Sequence, residues 1–310
     1  MNGETNGLVA MDPTDHVMVG AALARLGFNG SWDRLIAGDG VSDLLDRADA
    51  DLLVAAAILT AHGDRYRLLR DEPPFRDGTT MANGALAYLQ RAVQHAEGGS
   101  AGWDGQDPDL VLRQGRSSAR IAGVLAEWVV RMPAVESALH AGQCRFLDVG
   151  VGIGAISSGL CQRYPSLTSV GLDVVPEVLA LADQEISAAG LADRIELRQE
   201  SVADLTDDRE YDFAWLPQPF IPRQPFEAGV RRVFEAVRPD GWVVVPLMTP
   251  PALESAFERA VVIHAAHVLG GGPIEVHEAV ELLEQAGWVD IAQEDVGVQV
   301  CLLARRPALG

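Results

Sequence analysis

The sequence predicts an α/β chain, with a doubly wound seven-stranded sheet that ends in an antiparallel pair and an all-helical, winged-helix-like domain before it. Three observations predict it. From Gln143 onward short β-branched runs alternate with helical segments, the last two runs are only a few residues apart, and before Gln143 the apolar spacing is helical. The chain's 310 residues suffice for one large core and a smaller accessory one.

Residues 1–11 read as a disordered tail, polar and acidic, without the basic start and apolar run of a leader. Residues 12–75 read as the winged-helix-like domain, with short helices near 15–26, 31–48 and 50–62 and a strand in "DRYRLL". The usual partner of such a module is DNA. Here "DLLDRADADLLVAAAIL" is acidic and apolar where a base-reading helix would be basic, so a dimer-forming role is expected instead.

Residues 76–141 read as a helical linker and substrate lid, with helices at about 80–96 and 110–140 between the breaks "DEPPFRDGTT" and "GGSAGWDGQDPD". Met81, Tyr88 and His95 recur every seven residues and share a face, either a packing stripe or the roof of a pocket.

Residues 142–310 carry the Rossmann-like sheet. Strands read at "CRFLDV", "SVGLDV", "RIELRQ", "YDFAWL", "GWVVVPL", "VDIAQE" and "VQVCLLA". Helices fall at about 154–163, 176–189, 224–238, 251–267 and 275–287. In this arrangement a ligand lies at the strands' C-terminal ends, and the last two strands pair antiparallel at one edge.

Composition removes whole classes. The charge is −20, from 44 acids against 24 bases, a field that repels phosphate backbones. Every basic residue is arginine, so chemistry that needs a lysine amine is excluded: Schiff bases, pyridoxal phosphate, P-loop nucleotide binding and the Tyr-x-x-x-Lys dehydrogenase pair. Cys144, Cys161 and Cys301 lack metal or CxxC spacing and are expected to pack in a reduced, cytoplasmic setting. No apolar run is long enough to span a membrane.

The segment "FLDVGVGIGAI" carries the chemistry. Gly150, Gly152 and Ala155 satisfy a loose dinucleotide pattern, whereas Asp148 with Gly150, Gly152 and Gly154 satisfies an acid-x-G-x-G-x-G pattern. A pyrophosphate wants bare N–H groups and a helix N-terminus; a carboxylate beside it repels. S-adenosylmethionine has no phosphate, and an aspartate can accept from its ammonium while the helix N-terminus faces its carboxylate. A second acid, Asp173 in "GLDVV", suits ribose hydroxyls in either cofactor class.

Through "FLDVGVGIG", "GLDVV", "RIELRQESVADL" and "YDFAWLPQPFIP", in order, residues 142–310 resemble the class I S-adenosylmethionine-dependent methyltransferases. The helical N-terminal region is similar to that of their small-molecule members with a winged-helix dimerisation domain. The resemblance implies S-adenosyl-L-methionine as cofactor, with Asp148, Gly150, Gly152 and Gly154 around its methionyl and ribose parts and Asp173 on the ribose hydroxyls. Val174 would lie against the adenine. Ser201 and Val202 stand where the family usually has an acid for the adenine amino group, and Asp204 follows further on; a serine hydroxyl could accept that bond more weakly. Leu216 and Pro217 would end the fourth strand beside the methyl group.

"LPQPFIP" resembles the [N/D/S]-P-P-[F/Y/W] motif of amino-group methyltransferases, with Pro219 and Phe220 in register and Pro217 in place of the first polar residue. Gln218 is the candidate to supply the amide, against the plainer reading of a proline-stiffened pocket wall. No histidine follows the fourth strand, so a base would come from His95, His264, His267 or His277. His264 and His267 are three apart on a helix, a spacing more often surface or core than metal-binding, and no metal is expected. Tyr88, Arg113, Gln114 and Phe220 are the candidate substrate contacts, Arg113 and Gln114 as a clasp for a carboxylate alongside Arg116.

The expected function is therefore methyl transfer to a small, partly aromatic or apolar acceptor on O, N or C, in a homodimer joined through the N-terminal helices. Runs of Ala, Arg, Asp and Gly without lysine suggest a high-GC gene and a secondary-metabolite acceptor. The alternative keeps the cofactor but catalyses cyclisation or decarboxylation. A winged-helix regulator and a nicotinamide oxidoreductase are the weaker readings, opposed by the acidic helices and by Asp148.

Overall fold

The computed structural model describes residues 13–39, 41, 43–56, 58–69, 86, 90, 93, 103, 105, 107–249, 256–296 and 299–308. The expected tail at 1–11 and the residues Met81, Tyr88 and His95 lie outside them. The chain divides into two compact units, Met1–Glu97 and Gly98–Gly310. The boundary thus falls inside the segment 76–141 that the sequence reading treated as one lid.

In the first unit, α1 (Pro13–Phe28), α2 (Ser31–Ile36) and α3 (Leu44–Ala55) precede an antiparallel hairpin of β1 (Leu59–His62) and β2 (Arg65–Leu68). This is the element order of a winged helix, although the helices are shorter than expected. The helix read over 50–62 stops at Ala55, because Gly63, at φ 70°, turns the chain into a hairpin that claims residues 59–62 as a strand. Trp32, Leu26, Leu35, Leu53, Leu59 and Tyr66 form its core. Buried Asp46 ties α3 to the α1–α2 corner, accepting from Arg25 at 2.6 Å, from Asn29 at 3.0 Å and from the Ser31 hydroxyl.

The second unit opens with α4 (Pro108–Ser117), α5 (Ala119–Val129) and α6 (Pro133–His140), where the sequence reading had one helix over 110–140. Pro133 explains the second break, since it lacks an N–H and starts a helix more readily than it continues one. The sheet follows: β3 (Arg145–Val149), α7 (Ala155–Arg163), β4 (Thr168–Asp173), α8 (Pro176–Ala188), β5 (Ile195–Gln199), β6 (Tyr211–Trp215), α9 (Arg223–Ala236), β7 (Val237–Leu247), α10 (Ala256–Leu269), α11 (Val276–Ala286), β8 (Val289–Val296) and β9 (Gln299–Arg305).

All seven expected strands are present, in the order β5-β4-β3-β6-β7-β9-β8. The first five are mutually parallel, and β9 runs antiparallel to both β7 and β8. Because buried strands alternate their side chains between two covered faces, β3 sends Leu147 and Val149 toward α9 and α11. Its neighbour Phe146 goes to the opposite core, which α5, α7 and α8 cover, and stacks on Phe213 at 4.5 Å. Asp148 alternates onto that second face as well. Strand order reverses between β3 and β6, and this switch point is where a crevice opens at the strands' C-terminal ends.

Candidate functional site

The turn from β3 to α7 is built by three glycines in the left-handed region: Gly150 at φ 65°, Gly152 at 56° and Gly154 at 76°. Side chains are strained there, so the spacing in "GVGIG" is what lets the chain leave β3 and enter α7 so abruptly. Asp173, at the end of β4, fastens the turn from below. One of its carboxylate oxygens accepts from the Gly152 N–H and the other from the Val175 N–H, both at 3.1 Å. Burial pushes the Asp173 carboxyl above the usual carboxylate range, although the N–H groups of Val175, Gly152 and Val174 favour its charged form.

Asp148 lies beneath this turn with no exposed surface. Its Oδ2 accepts from the Ser157 hydroxyl at 2.6 Å, and its Oδ1 has no partner in the chain. Burial pushes its pKa up to about 7; the Ser157 hydroxyl and N–H pull it down, and the charge of Asp173 pushes it up further. The sequence reading placed Asp148 against the ligand. In the structure Val149 and Gly150 form the cavity wall above it, and Asp148 supports them.

A cavity of about 510 Å³ opens over the turn, within the range of small-molecule sites. Its lining includes Gly150, Gly152, Asp173, Val174, Ser201 and Val202. Val174 is 61% exposed, an apolar face left open beside the Asp173 carboxylate. Ser201 caps the short turn 202–204, accepting from the Ala203 N–H at 3.3 Å. One of its lone pairs is thereby engaged, and it still offers the cavity its O–H as a donor. The acid at this position is Glu200, one residue earlier, which also lines the cavity. Asp204 is exposed and does not reach it.

The same lining is also aromatic and proline-rich. Trp103 and Phe220 face each other with ring centroids 5.9 Å apart, and Trp215, Pro217, Ile221, Pro222 and Pro225 continue the wall. Gln114 lines the cavity as expected; Arg113 does not, and donates instead to the Asp109 carbonyl at 3.3 Å. Arg116 pairs with Glu185 at 3.1 Å. Leu216 and Gly154 also stand behind the wall, Leu216 in the core and Gly154 against Ile186.

Two catalytic candidates are corrected by their placement. Gln218 is fully buried, and its Nε2 donates to the carbonyls of Gly271 at 3.3 Å and Gly272 at 3.0 Å, so its amide anchors the turn after α10 and does not face the cavity. His264 is exposed on α10 away from the cavity lining, as is His267. Among the described residues no arginine or histidine lines the cavity, and no group of three His, Cys, Asp or Glu side chains is placed to hold a metal ion. Cys161 and Cys301 are buried with thiols pushed up to about 11 and about 12, and burial raises Cys144 as well. All three are packing residues.

The residues fit S-adenosylmethionine better than a dinucleotide. Left-handed glycines let a nucleoside approach the backbone, and Asp173 lines the cavity with a carboxylate set for hydroxyl groups. A pyrophosphate would meet Asp173 and Glu200 with no described cation in the wall.

Comparison with known proteins agrees. Residues 146–241 match a family model described as a methyltransferase domain. A demethylmenaquinone methyltransferase of Thermus thermophilus is 30% identical over 139 residues, 45% of this chain and 62% of that protein. The N,N-dimethyltransferase OxyT of Streptomyces rimosus is 27% identical over 224 residues, 65% of this chain and 64% of its own. The chain thus spans less than two thirds of the length of these curated relatives. An O-methyltransferase family protein from Burkholderia thailandensis shares the fold at 16% identity, with a TM-score of 0.61 over 96% of this chain and 97% of that one. The family match, which takes in the glycine turn and the switch-point crevice, thus identifies residues 146–241 as a methyltransferase domain.

Proposed function

We propose that this protein transfers a methyl group from S-adenosylmethionine to a small apolar, partly aromatic acceptor, on O, N or C. The observation that carries this reading is a single cavity lined both by the glycine turn with Asp173 and by Trp103, Phe220 and prolines. When bound, the cofactor supplies a sulfonium-activated methyl group. The chain's own residues do the rest. Asp173 and the glycine turn hold the nucleoside, Val174 covers a base face, and Glu200 and Ser201 offer an acceptor and a donor to its polar edge. Pro217 and Phe220 set the acceptor in line. Alignment and exclusion of water supply much of the rate in such a displacement, and a base is needed only when the acceptor atom carries a proton to be lost.

Calorimetric titration with S-adenosylhomocysteine, with NADH in parallel, tests the reading: micromolar binding of the first alone supports it, and binding of NADH alone overturns it. Product mass separates transfer from cyclisation or decarboxylation, because only transfer adds a methyl group and releases S-adenosylhomocysteine.

The first unit is read as a dimerisation module. Met18, Leu44 and Leu45 are 55%, 85% and 56% exposed on its helices, an apolar surface suited to a second copy, and the exposed acids Asp43 and Asp51 beside and in α3 oppose DNA. No described helix is long and apolar enough to cross a membrane, and the reduced thiols fit the cytoplasm.

A further inference from the structure

α4 meets the cavity at its last turn, where Gln114 and Gly115 stand in the lining with Ser118 and with Ile153 of the glycine turn. The helix bends there. The Ser117 hydroxyl donates to the Gln114 carbonyl at 2.6 Å, an acceptor that a continuous helix would give to the Ser118 N–H. The Ser118 N–H turns to the Gly115 carbonyl instead, at 3.0 Å, and α5 sets off in a new direction.

Two close contacts seat this bent pair. A Cβ on Gly115 would meet Ile153 Cγ1 at 2.4 Å, Cδ1 at 2.7 Å and Cγ2 at 3.2 Å. A Cβ on Gly159, in α7, would meet the Cβ of Ala122, in α5, at 2.6 Å. Neither glycine lies in the left-handed region, and alanine makes the stronger helix, so neither is required by its own backbone. What Gly115 provides is proximity. Ile153 is 3% exposed and forms a small apolar cluster with Val111 and Val178, apart from the two cores of the sheet.

We infer that Gly115 is a positioning residue: by admitting Ile153 against the last turn of α4, it holds the glycine turn in place for the cofactor and keeps Gln114 and Ser118 in the wall of the same cavity. The inference rests on the cofactor reading above. An alanine at 115 is relieved either by lifting α4 or by pushing back Ile153 and the turn with it. Both routes spare the cores of the sheet and spoil the cavity.

The test titrates the full chain with S-adenosylhomocysteine and follows chemical denaturation in parallel. Gly115→Ala is expected to bind about tenfold more weakly, the effect of an overpacked contact, with the denaturation midpoint unchanged or raised because alanine favours the helix. In an Ile153→Ala background, where all three clashing atoms are gone, the same substitution is expected to change affinity less than about twofold. A tenfold loss in both backgrounds would put the added carbon against the ligand itself and overturn the inference. No loss in the first background would also overturn it, as would a midpoint that falls in step with affinity. Leu112→Ala serves if Gly115→Ala does not fold, since it loosens α4 from the Ile153 cluster without altering the cavity lining. It is expected to weaken S-adenosylhomocysteine severalfold, and unchanged affinity would overturn the inference. Failure of the unaltered protein to bind S-adenosylhomocysteine would overturn the cofactor reading itself.

Discussion

Gln218 and Gly271 are fitted to each other through both side chain and backbone. The Gln218 amide donates to the Gly271 carbonyl at 3.3 Å, and a Cβ placed on Gly271 would meet the Gln218 carbonyl oxygen at 2.1 Å. The Gly271 N–H donates in turn to the Pro219 carbonyl at 2.9 Å. The loop after β6 and the turn after α10 are thereby clamped together, and Gly270, next in the chain, lines the cavity.

That clamp has a mutational signature. Gly271→Ala forces backbone against backbone, with no flexible side chain to yield, and is expected to cost about 1–3 kcal/mol or more. Gln218→Ala strips a donor from two carbonyls, for about 1–3 kcal/mol. Chemical denaturation measures both. A Gln218→Ala protein of unchanged stability would show that the amide is idle, and one that lost turnover without losing stability would restore it as a catalytic group.

Phe220→Ala removes one side of the Trp103 pair in the cavity wall. It is expected to raise the KM for an aromatic acceptor about tenfold, the sum of a lost ring pair and lost burial, while S-adenosylhomocysteine affinity stays within about twofold. Loss of S-adenosylhomocysteine binding instead would make Phe220 a cofactor contact and not an acceptor contact.

Asp173→Ala loses the two N–H partners that fasten the glycine turn. The expected result is at least a hundredfold weaker S-adenosylhomocysteine binding, with a stability cost of about 1–3 kcal/mol, since orphaned donors are left at Gly152 and Val175. Titration calorimetry with a parallel thermal melt separates the two effects. Unchanged affinity would remove Asp173 from the binding site.

Asp148 predicts a pH dependence with a definite sign. Its folded pKa, about 7, lies above the unfolded value near 3.8, so between those limits the native state holds the extra proton. Stability therefore falls as pH rises from about 4 to 7 and levels beyond. Asp173, also raised, adds in the same sense, and the Cys161 thiol nearby stays protonated throughout. The slope in Asp148→Asn should be shallower than in the unaltered protein when melting temperatures are compared from pH 5 to 8. Parallel curves would mean that Asp148 titrates normally.

Leu44→Glu with Leu45→Glu places charge on two adjacent, exposed apolar residues of α3. Light scattering is expected to shift from dimer to monomer with the cavity intact. A monomer before substitution would remove the dimer reading.

What was legible in the sequence follows from what each signal depends on. The inner strands showed as apolar runs and the edge strands from their place between turn signals, and the glycine turn showed because φ near +60° demands glycine three times in five residues. Of the hairpin at 59–68 only the second strand showed, in "DRYRLL", since "AILTAH" reads equally as helix until its pairing with Arg65–Leu68 is seen. The helix 110–140 concealed a proline break. At the site, Val174 and Pro217 could be read from their distance to motif residues. Glu200 was passed over for its neighbour although an acid directly after β5 was the available signal. Trp103 and Gly270 come from distant segments and carried none. The errors over Gln218 and His264 share a cause: a polar residue near a motif looks functional until its partners are visible.

The order of the last two strands has a consequence for biosynthesis. β9 is made after both of its neighbours, yet it is the one that joins them. While the ribosome is still adding residues before 299, β7 presents an open hydrogen-bonding edge of apolar valines and β8 has no partner in the sheet. The emerging domain thus carries an adhesive border until its final strand slots in, and premature termination in that stretch would leave a template for aggregation.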